Sequence, residues 1–376
     1  GMPCGAPYQN SDQEELPGGH ANCRGLMQAT RVKSGRDCAC RPRSQLPTIP
    51  GCMKSFDVCI QGTGPVGLCL ALALSRQGLS VACRGAPATA AQPQAADLRT
   101  YALSATSVEL LQQLKIWPAL PRDARTAVVA MQIQGDVAGA GLNFSAHDQQ
   151  LEELAWIVDA AELNVALAAA ERFAPHVEFV DTEVQAALTA FADGRDSASR
   201  ERLGVQMPFH RYGQHALAAR LTADRPHQGV ARPSFRSPDV LALLPFYRPG
   251  AGRSFGTIWS LPQARAEALL ASDKGAFEAA LADATGGAAG TLELASERAT
   301  WPLAYGRAQQ VCGEGWVLLG DAAHVVHPLA GQGLNLGLAD VKVLAETLSR
   351  RESFRSLGDA TLLRRYARAR QLPVRL

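Results

Sequence analysis

The sequence has no long apolar run. The longest, Val66–Leu74, is far below the ~20 residues a membrane-spanning helix needs. It also has no excess of one charge. Lys and Arg number 37, Asp and Glu 35, and the net charge is +2, so no strong field draws the chain to nucleic acid or to an anionic membrane. No basic start followed by an apolar stretch marks a secretory signal, and no internal repeat suggests a solenoid. Cysteine is scarce after residue 52: Cys59, Cys69, Cys83 and Cys312 sit inside apolar patterns, where a free thiol acts as a small hydrophobe. Without an export signal, a disulfide framework is not expected. These absences leave a soluble, cytoplasmic protein of 376 residues, with 47% apolar residues, enough for a core of two or three domains.

Residues 1–52 are unlike the rest. They are rich in Gly, Pro, Arg and Gln and carry no helix or strand period. His20, Cys23, Cys38 and Cys40 fit no standard zinc-ligand spacing, so no metal site is expected. Met53-Lys54-Ser55-Phe56-Asp57-Val58 reads as a fresh start. The expectation is that the natural chain begins there and that residues 1–52 are a disordered or non-native leader.

After Met53 strands and helices alternate. Phe56–Gln61 reads as an apolar strand, Pro65–Gln77 as a buried helix ended by Gly78, and Leu79–Cys83 as a second strand. Such a βαβ unit implies a parallel sheet. Helices are expected over 104–115, 159–173 and 263–284. Residues 203–262 hold short β-branched and aromatic runs broken by Pro and Gly, which read as antiparallel sheet. Trp316–Leu319 is a strand, and Leu334, Leu338, Val341, Leu344 and Leu348 mark a helix by their spacing.

Three stretches carry chemistry. Gly62-Thr63-Gly64-Pro65-Val66-Gly67 is a GxGxxG between a strand and a helix. Its first glycine permits a tight turn, its second lets a diphosphate approach the backbone, and its third lets helix and strand pack closely. Pro65 at the helix start gives up no needed donor. The second strand lacks the acid that would hold an adenosine ribose, ending instead in Cys83-Arg84-Gly85. Asp193-Gly194 alone is only a turn signal. The stretch from Gly320 to Asn335 reads GDAAHVVHPLAGQGLN. Asp321 can accept hydrogen bonds from a chain of hydroxyls, and Pro328 fixes a rigid turn. Gly331 and Gly333 let backbone lie against a flat ring. The helix that follows aims its N-terminal N–H groups at charge developing on that ring. A diphosphate, a polyol chain and a ring that becomes anionic on reduction together point to FAD.

In this order the three stretches resemble the fingerprints of class A flavin-dependent aromatic hydroxylases, with the p-hydroxybenzoate hydroxylase fold. Tyr212-Gly213-Gln214-His215-Ala216, Ala242-Leu243-Leu244-Pro245 and the wording HPLAGQGLNLGLAD resemble the ubiquinone-biosynthesis branch. The resemblance runs from Met53 to the end. It implies an α/β (α+β overall) protein: a Rossmann-like FAD-binding domain with a parallel sheet, plus an antiparallel-sheet substrate domain. The FAD-binding domain would be discontinuous, from 53–125, 155–202 and 300–376, with 126–154 and 203–299 forming the substrate domain. It also implies a reaction. NAD(P)H, a transient co-substrate, reduces FAD; O2 adds to it as a hydroperoxide; one oxygen passes to a small aromatic substrate, a phenolic and polyprenylated ring.

By matching position, the resemblance gives Gly62, Gly64, Pro65 and Gly67 to the diphosphate, with Arg99 near the phosphates. Asp193 would lie between FAD and the nicotinamide path. Gly320 and Asp321 would meet the ribityl chain, and Pro328, Gly331, Gln332, Gly333, Leu334 and Asn335 would line the isoalloxazine. His210, Tyr212, His215 and His227 are candidate bases, none preferred. Arg211, Arg220 and Arg232 leave open an acidic substrate, and so a soluble aromatic-acid hydroxylase. Peripheral membrane association is expected by analogy. Two departures stand out: only a dozen residues separate Val180 from Asp193, where the family carries a hairpin and then a strand, and the chain stops at Leu376. A non-catalytic remnant of the fold is the third reading.

Overall fold

The computed structural model describes residues 54–85, 97–137, 140–327 and 331–371. The leader, its cysteines, Pro328 and Leu376 lie outside the described residues.

In chain order the first half runs β1 (Ser55–Gln61), α1 (Pro65–Ser75), β2 (Val81–Arg84), β3 (Thr100–Leu103), α2 (Ala105–Gln113), β4 (Arg125–Val128), β5 (Ala130–Gln134), β6 (Gly141–Ser145), β7 (Ala155–Asp159), α3 (Ala160–Glu171), β8 (Val177–Phe179), β9 (Gln185–Phe191) and α4 (Ala198–Arg202). The second runs β10 (Phe209–Ala223), β11 (Val230–Arg236), β12 (Asp239–Phe246), β13 (Ser254–Pro262), α5 (Gln263–Ala271), α6 (Lys274–Thr285), β14 (Leu292–Leu294), β15 (Ala299–Arg307), β16 (Cys312–Gly313), β17 (Trp316–Leu318), β18 (His324–Val325), α7 (Gln332–Ser349) and α8 (Ala360–Gln371). The single helix expected over 263–284 is two, because Asp273 caps a new start by accepting from the Ala276 N–H.

A six-stranded sheet has the order β16-β17-β9-β1-β2-β8, with β17, β9, β1, β2 and β8 parallel. One face is apolar: Val58, Ile60, Val81, Cys83, Leu188, Ala190 and Val317 join a core with Leu68, Leu70 and Leu74 of α1, Leu163 and Leu167 of α3, and Leu338, Val341 and Leu344 of α7. The α1 helix has no polar face because it lies against this sheet, α3 and α7. The short segment before Asp193 therefore does yield a strand. β9 pairs with β1 on one side and β17 on the other, in the middle of the sheet.

A nine-stranded sheet takes in β5, β6, β10–β15 and β18, mostly antiparallel. Its long strand β10 pairs with both β13 and β15. Here Leu217, Leu221, Phe255 and Trp259 pack with Phe277 and Leu281 of α6 in a second core. A three-stranded sheet, β3-β7-β4, packs on the nine-stranded sheet through Val128, Ile157, Ala231 and Phe246, while its Leu103 and Val158 join the first core. Cys59, Cys69, Cys83 and Cys312 are buried free thiols. Among the described residues no helix is long and apolar enough to cross a membrane, and no group of three metal-ligating side chains comes together.

Candidate functional site: the carboxyl edge of the parallel sheet

The register of the parallel sheet decides where the motifs meet. Gln61 pairs with Arg84 on one side and with Phe191 on the other, and Phe191 pairs with Leu318. Four strands thus end level. The hydrogen bonds continue one residue beyond: Gly62 N donates to Arg84 O (3.0 Å), Ala192 N to Gln61 O (2.7 Å) and Leu319 N to Phe191 O (2.9 Å). Gly62, Asp193 and Gly320 therefore leave one edge together, the edge where open α/β sheets bind ligands.

The three glycines of the first motif do different work. Gly62 has φ +110°, and a Cβ there would stand 2.3 Å from Ala192 O. A Cβ on Gly67 would stand 2.0 Å from Gly62 O. Both are required by the fold itself. Gly64 is unlike them: its φ of −75° suits any residue, and a Cβ would meet nothing within 4 Å. It borders open space at the N-terminus of α1, where Pro65 takes the first position and no side chain caps the helix. Such a cradle fits a diphosphate.

Asp321 lies in a 3-10 turn, Gly320–Ala322, directly after β17. Its side chain reaches solvent yet is walled by protein, and this desolvation raises its carboxyl pKa against the lowering pull of His324, Arg195 and Arg99. Gly333, in the first turn of α7, would place a Cβ 4.0 Å from Asp321 Oδ1 and near nothing else. The acid and the helix N-terminus thus share one opening. Gly331 precedes the helix at φ +60°, where a Cβ would press on Ala102 of β3 at 2.9 Å. Gln332 is exposed beside it.

Two residues expected to line the ring have partners within the protein. Asn335 Oδ1 accepts from Ser104 N (2.9 Å) and Ser107 Oγ (2.6 Å), while Nδ2 donates to Ala102 O (2.7 Å) and Gly331 O (3.0 Å). That satisfies every donor and acceptor of the side-chain amide. Leu334 packs against the core.

Asp193 accepts from Ser197 Oγ (2.6 Å) and Ser199 N (3.1 Å), tying the Asp-Gly turn to α4. Arg99 forms a two-pronged pair with Asp97 (2.8 and 2.7 Å) and lies over Tyr101. Its carbonyl accepts from Arg220, which crosses from β10 to Asp159 at 3.3 Å. Arg220 is thus a buried tie between sheets, and its guanidinium stacks on Phe246. His227 is buried against Tyr247 and Phe255, with Nδ1 accepting from Gly229 N. His210 and Tyr212 are exposed, and Tyr212 stands edge-on to His327.

The sequence patterns missed two features. Beneath the Asp321 turn, Asp340 of α7 accepts from Gly320 N (2.9 Å), meets His324 Nε2 (2.7 Å) and receives Arg370 Nε of α8 (2.5 Å). All three side chains are buried. One carboxylate thus clamps both ends of the turn. The second feature is a cavity of about 300 Å³ lined by Gln61, Arg84, Glu183, Ser199 and Arg202, among others. It brings an acid, Glu183, to the end of β2 where the sequence has none.

The model of the FAD binding domain family matches residues 55–180 and 157–375. Ubiquinone hydroxylase UbiL of Rhodospirillum rubrum is 30% identical over 332 residues, covering 82% of this chain and 75% of that protein. The 3-demethoxyubiquinol 3-hydroxylase of Escherichia coli is 28% identical over 337 residues, covering 82% and 84%. The crystal structure of PqsL, a probable FAD-dependent monooxygenase from Pseudomonas aeruginosa, superposes with a TM-score of 0.69 at 20% identity, over 86% of this chain and 93% of that one. The chain therefore belongs to the FAD-binding-domain family, among the FAD-dependent monooxygenases of the ubiquinone-hydroxylase branch.

Proposed function

We propose that this protein hydroxylates a phenolic, polyprenylated ring in ubiquinone biosynthesis, with NAD(P)H and O2 as co-substrates and peripheral contact with the membrane that holds the substrate. The observation that supports this reading is the level ending of β1, β9 and β17, so that Gly62, Asp193 and Gly320 leave one edge of the sheet, with α1 starting just after Gly64 and the first turn of α7 near Asp321.

FAD, when bound there, supplies the activation of oxygen and its transfer to the ring. The chain's own residues do the rest. The α1 N-terminus and the open side of Gly64 receive the diphosphate, with Arg99 turning from Asp97 to the phosphates. Glu183 takes the part of the missing ribose acid. Asp321 accepts from the ribityl hydroxyls. The α7 N-terminus, held in place by Asn335, would direct N–H dipoles at the flavin ring and favour negative charge there by about 0.3–1 kcal/mol, and more where desolvated. The exposed aromatic end of β10 faces the substrate.

The test begins with a visible spectrum of purified protein before and after adding FAD. It continues with NAD(P)H-dependent oxygen uptake in the presence of a 2-prenylphenol. Bound flavin near one equivalent and a product with one added oxygen are expected. Folded protein that takes up no flavin overturns the reading.

A further inference from the structure

We propose that the free edge of β6 is a dimerisation surface whose occupant is a second copy of this chain. The two β6 strands pair antiparallel about a twofold axis at Asn143. The inference goes beyond the hydroxylase reading and does not depend on it.

Sheet edges are usually guarded, because their unpaired N–H and C=O groups invite another strand. β8, at one edge of the six-stranded sheet, is three residues long, and its Glu178 pairs with Lys54. At the other edge β16 has two residues and lies against α8. In the nine-stranded sheet, β18 likewise has two. β6 is unlike these. It has five residues, Gly141–Ser145, and among the described residues it pairs with β5 alone. No charged residue and no proline occurs from Val137 to Ala146. Leu142 is 61% exposed and Phe144 43%.

The phase of the β5–β6 ladder tells which backbone groups are free. Gly135 N donates to Ala140 O (2.9 Å) and Ala146 N to Val129 O (2.8 Å). Bonded and non-bonded pairs alternate along an antiparallel ladder. Leu142 and Phe144 therefore turn their N–H and C=O groups to Ile133 and Met131 of β5, while Gly141, Asn143 and Ser145 turn theirs outward. Ser145 O also accepts from Gln149 N at 3.3 Å and has a second lone pair.

These outward groups are symmetric about Asn143. In a second copy run antiparallel, Asn143 meets its own counterpart, and each Gly141 meets Ser145 of the second copy. The same register sets each Leu142 opposite Phe144 of the second copy, on the face these residues share with Met131 and Ile133. A slip of one residue would put Asn143 opposite an apolar side chain, so the register is specified. With no charge on the strand, nothing on it repels an identical strand. A bilayer is a poor alternative, since hydrocarbon would leave the outward N–H and C=O groups unpaired. A five-residue strand is far smaller than the ~800 Å² per partner of a standard interface, so a dissociation constant on the order of 10 µM is expected.

The experiment is sedimentation velocity on the full chain with FAD added, from about 1 to about 200 µM. Monomer should give way to dimer and to nothing larger, because a twofold pairing closes. Hydrogen exchange read by mass spectrometry should show residues 141–145 gaining protection at the high concentration. Asn143→Pro removes the central donor, whose N–H points away from β5, and Leu142→Lys puts a charge on the edge. Each should weaken dimerisation at least tenfold while leaving Tm and FAD uptake unchanged. A monomer throughout the range overturns the inference. So does a dimer that both variants retain, a series of larger species, or a dimer in which residues 141–145 exchange as fast as in the monomer. If neither variant folds, the exchange measurement on wild type decides. Failure to take up flavin bears on the hydroxylase reading alone.

Discussion

Replacing each glycine of the first motif by alanine separates what the fold needs from what the cofactor needs. At Gly67 the added methyl would sit 2.0 Å from Gly62 O, and at Gly62 it would sit 2.3 Å from Ala192 O on a backbone with φ +110°. Neither obstacle is a flexible side chain. Overpacking costs about 1–3 kcal/mol, and a non-glycine residue at positive φ about 1–2 more. Gly64→Ala meets nothing within 4 Å at φ −75° and ψ 177°. The unfolded chain loses entropy, which stabilises by about 0.4–1 kcal/mol, while alanine is a poorer helix cap than glycine by a similar amount. The net change in apo stability should be close to zero. Its methyl nevertheless occupies the space that a diphosphate would take. Losing one charge-assisted hydrogen bond, about 1.5–3 kcal/mol, corresponds to roughly 10- to 150-fold weaker FAD binding. Thermal unfolding of the apo proteins and titration by flavin fluorescence read the two effects separately. The expected result is a normal Tm with weak FAD for Gly64→Ala, and a lowered Tm for Gly62→Ala and Gly67→Ala. A Gly64→Ala protein that binds FAD like wild type would refute the placement of the diphosphate.

Asp97→Asn frees the Arg99 guanidinium. An ion pair this exposed is worth at most about 1 kcal/mol, so FAD should bind up to about fivefold tighter at low salt, and the gain should fade at high salt; unchanged affinity at low salt would remove Arg99 from the phosphates. Glu171 is buried, and desolvation raises its pKa to about 7 from an ordinary 4.5. The folded state thus holds this proton more tightly. The resulting stability is fully present below pH 4.5 and is lost as pH rises through 7, on the order of 2–3 kcal/mol in total. Glu171→Gln should therefore raise Tm at pH 8 and change it little at pH 4.5, and an equal shift at both would show that ionisation is not the cause. Arg370→Met leaves the Asp340 carboxylate without its guanidinium and should cost about 3–5 kcal/mol. Adding Asp340→Asn should recover much of it, and a double variant as unstable as the single one would argue against an electrostatic origin.

Much of the architecture was legible because it follows from local periodicity. The apolar run of α1, the helices expected over 104–115 and 159–173 and the broken β runs of 203–262 all became the expected elements. The convergence of the motifs was legible for a different reason. Each glycine-rich stretch directly follows a strand, and parallel strands paired in level register must release their motifs at the same edge. A dozen residues before Asp193 looked too few for a normal sheet, yet a parallel strand needs no hairpin of its own, and Gln185–Phe191 fills the central place.

What the sequence hid was the partnership of polar side chains distant along the chain. Asn335 looked like a ring-lining residue because it stands in the right motif. Its amide is consumed by Ser104, Ser107, Ala102 and Gly331, and nothing in its own neighbourhood announces three of those four. Asp340 and Arg370 read as ordinary positions on two helices, and only the crossing of α7 and α8 makes them a buried pair. That pair has a consequence for the site. Arg370 answers the Asp340 charge, and the same carboxylate accepts from Gly320 N and meets His324 Nε2. The backbone that carries Asp321 is thus fixed by a charge supplied from α8. A helix that never approaches the opening still sets the geometry at its floor, because a buried carboxylate holds its neighbours in place only while its own charge is answered.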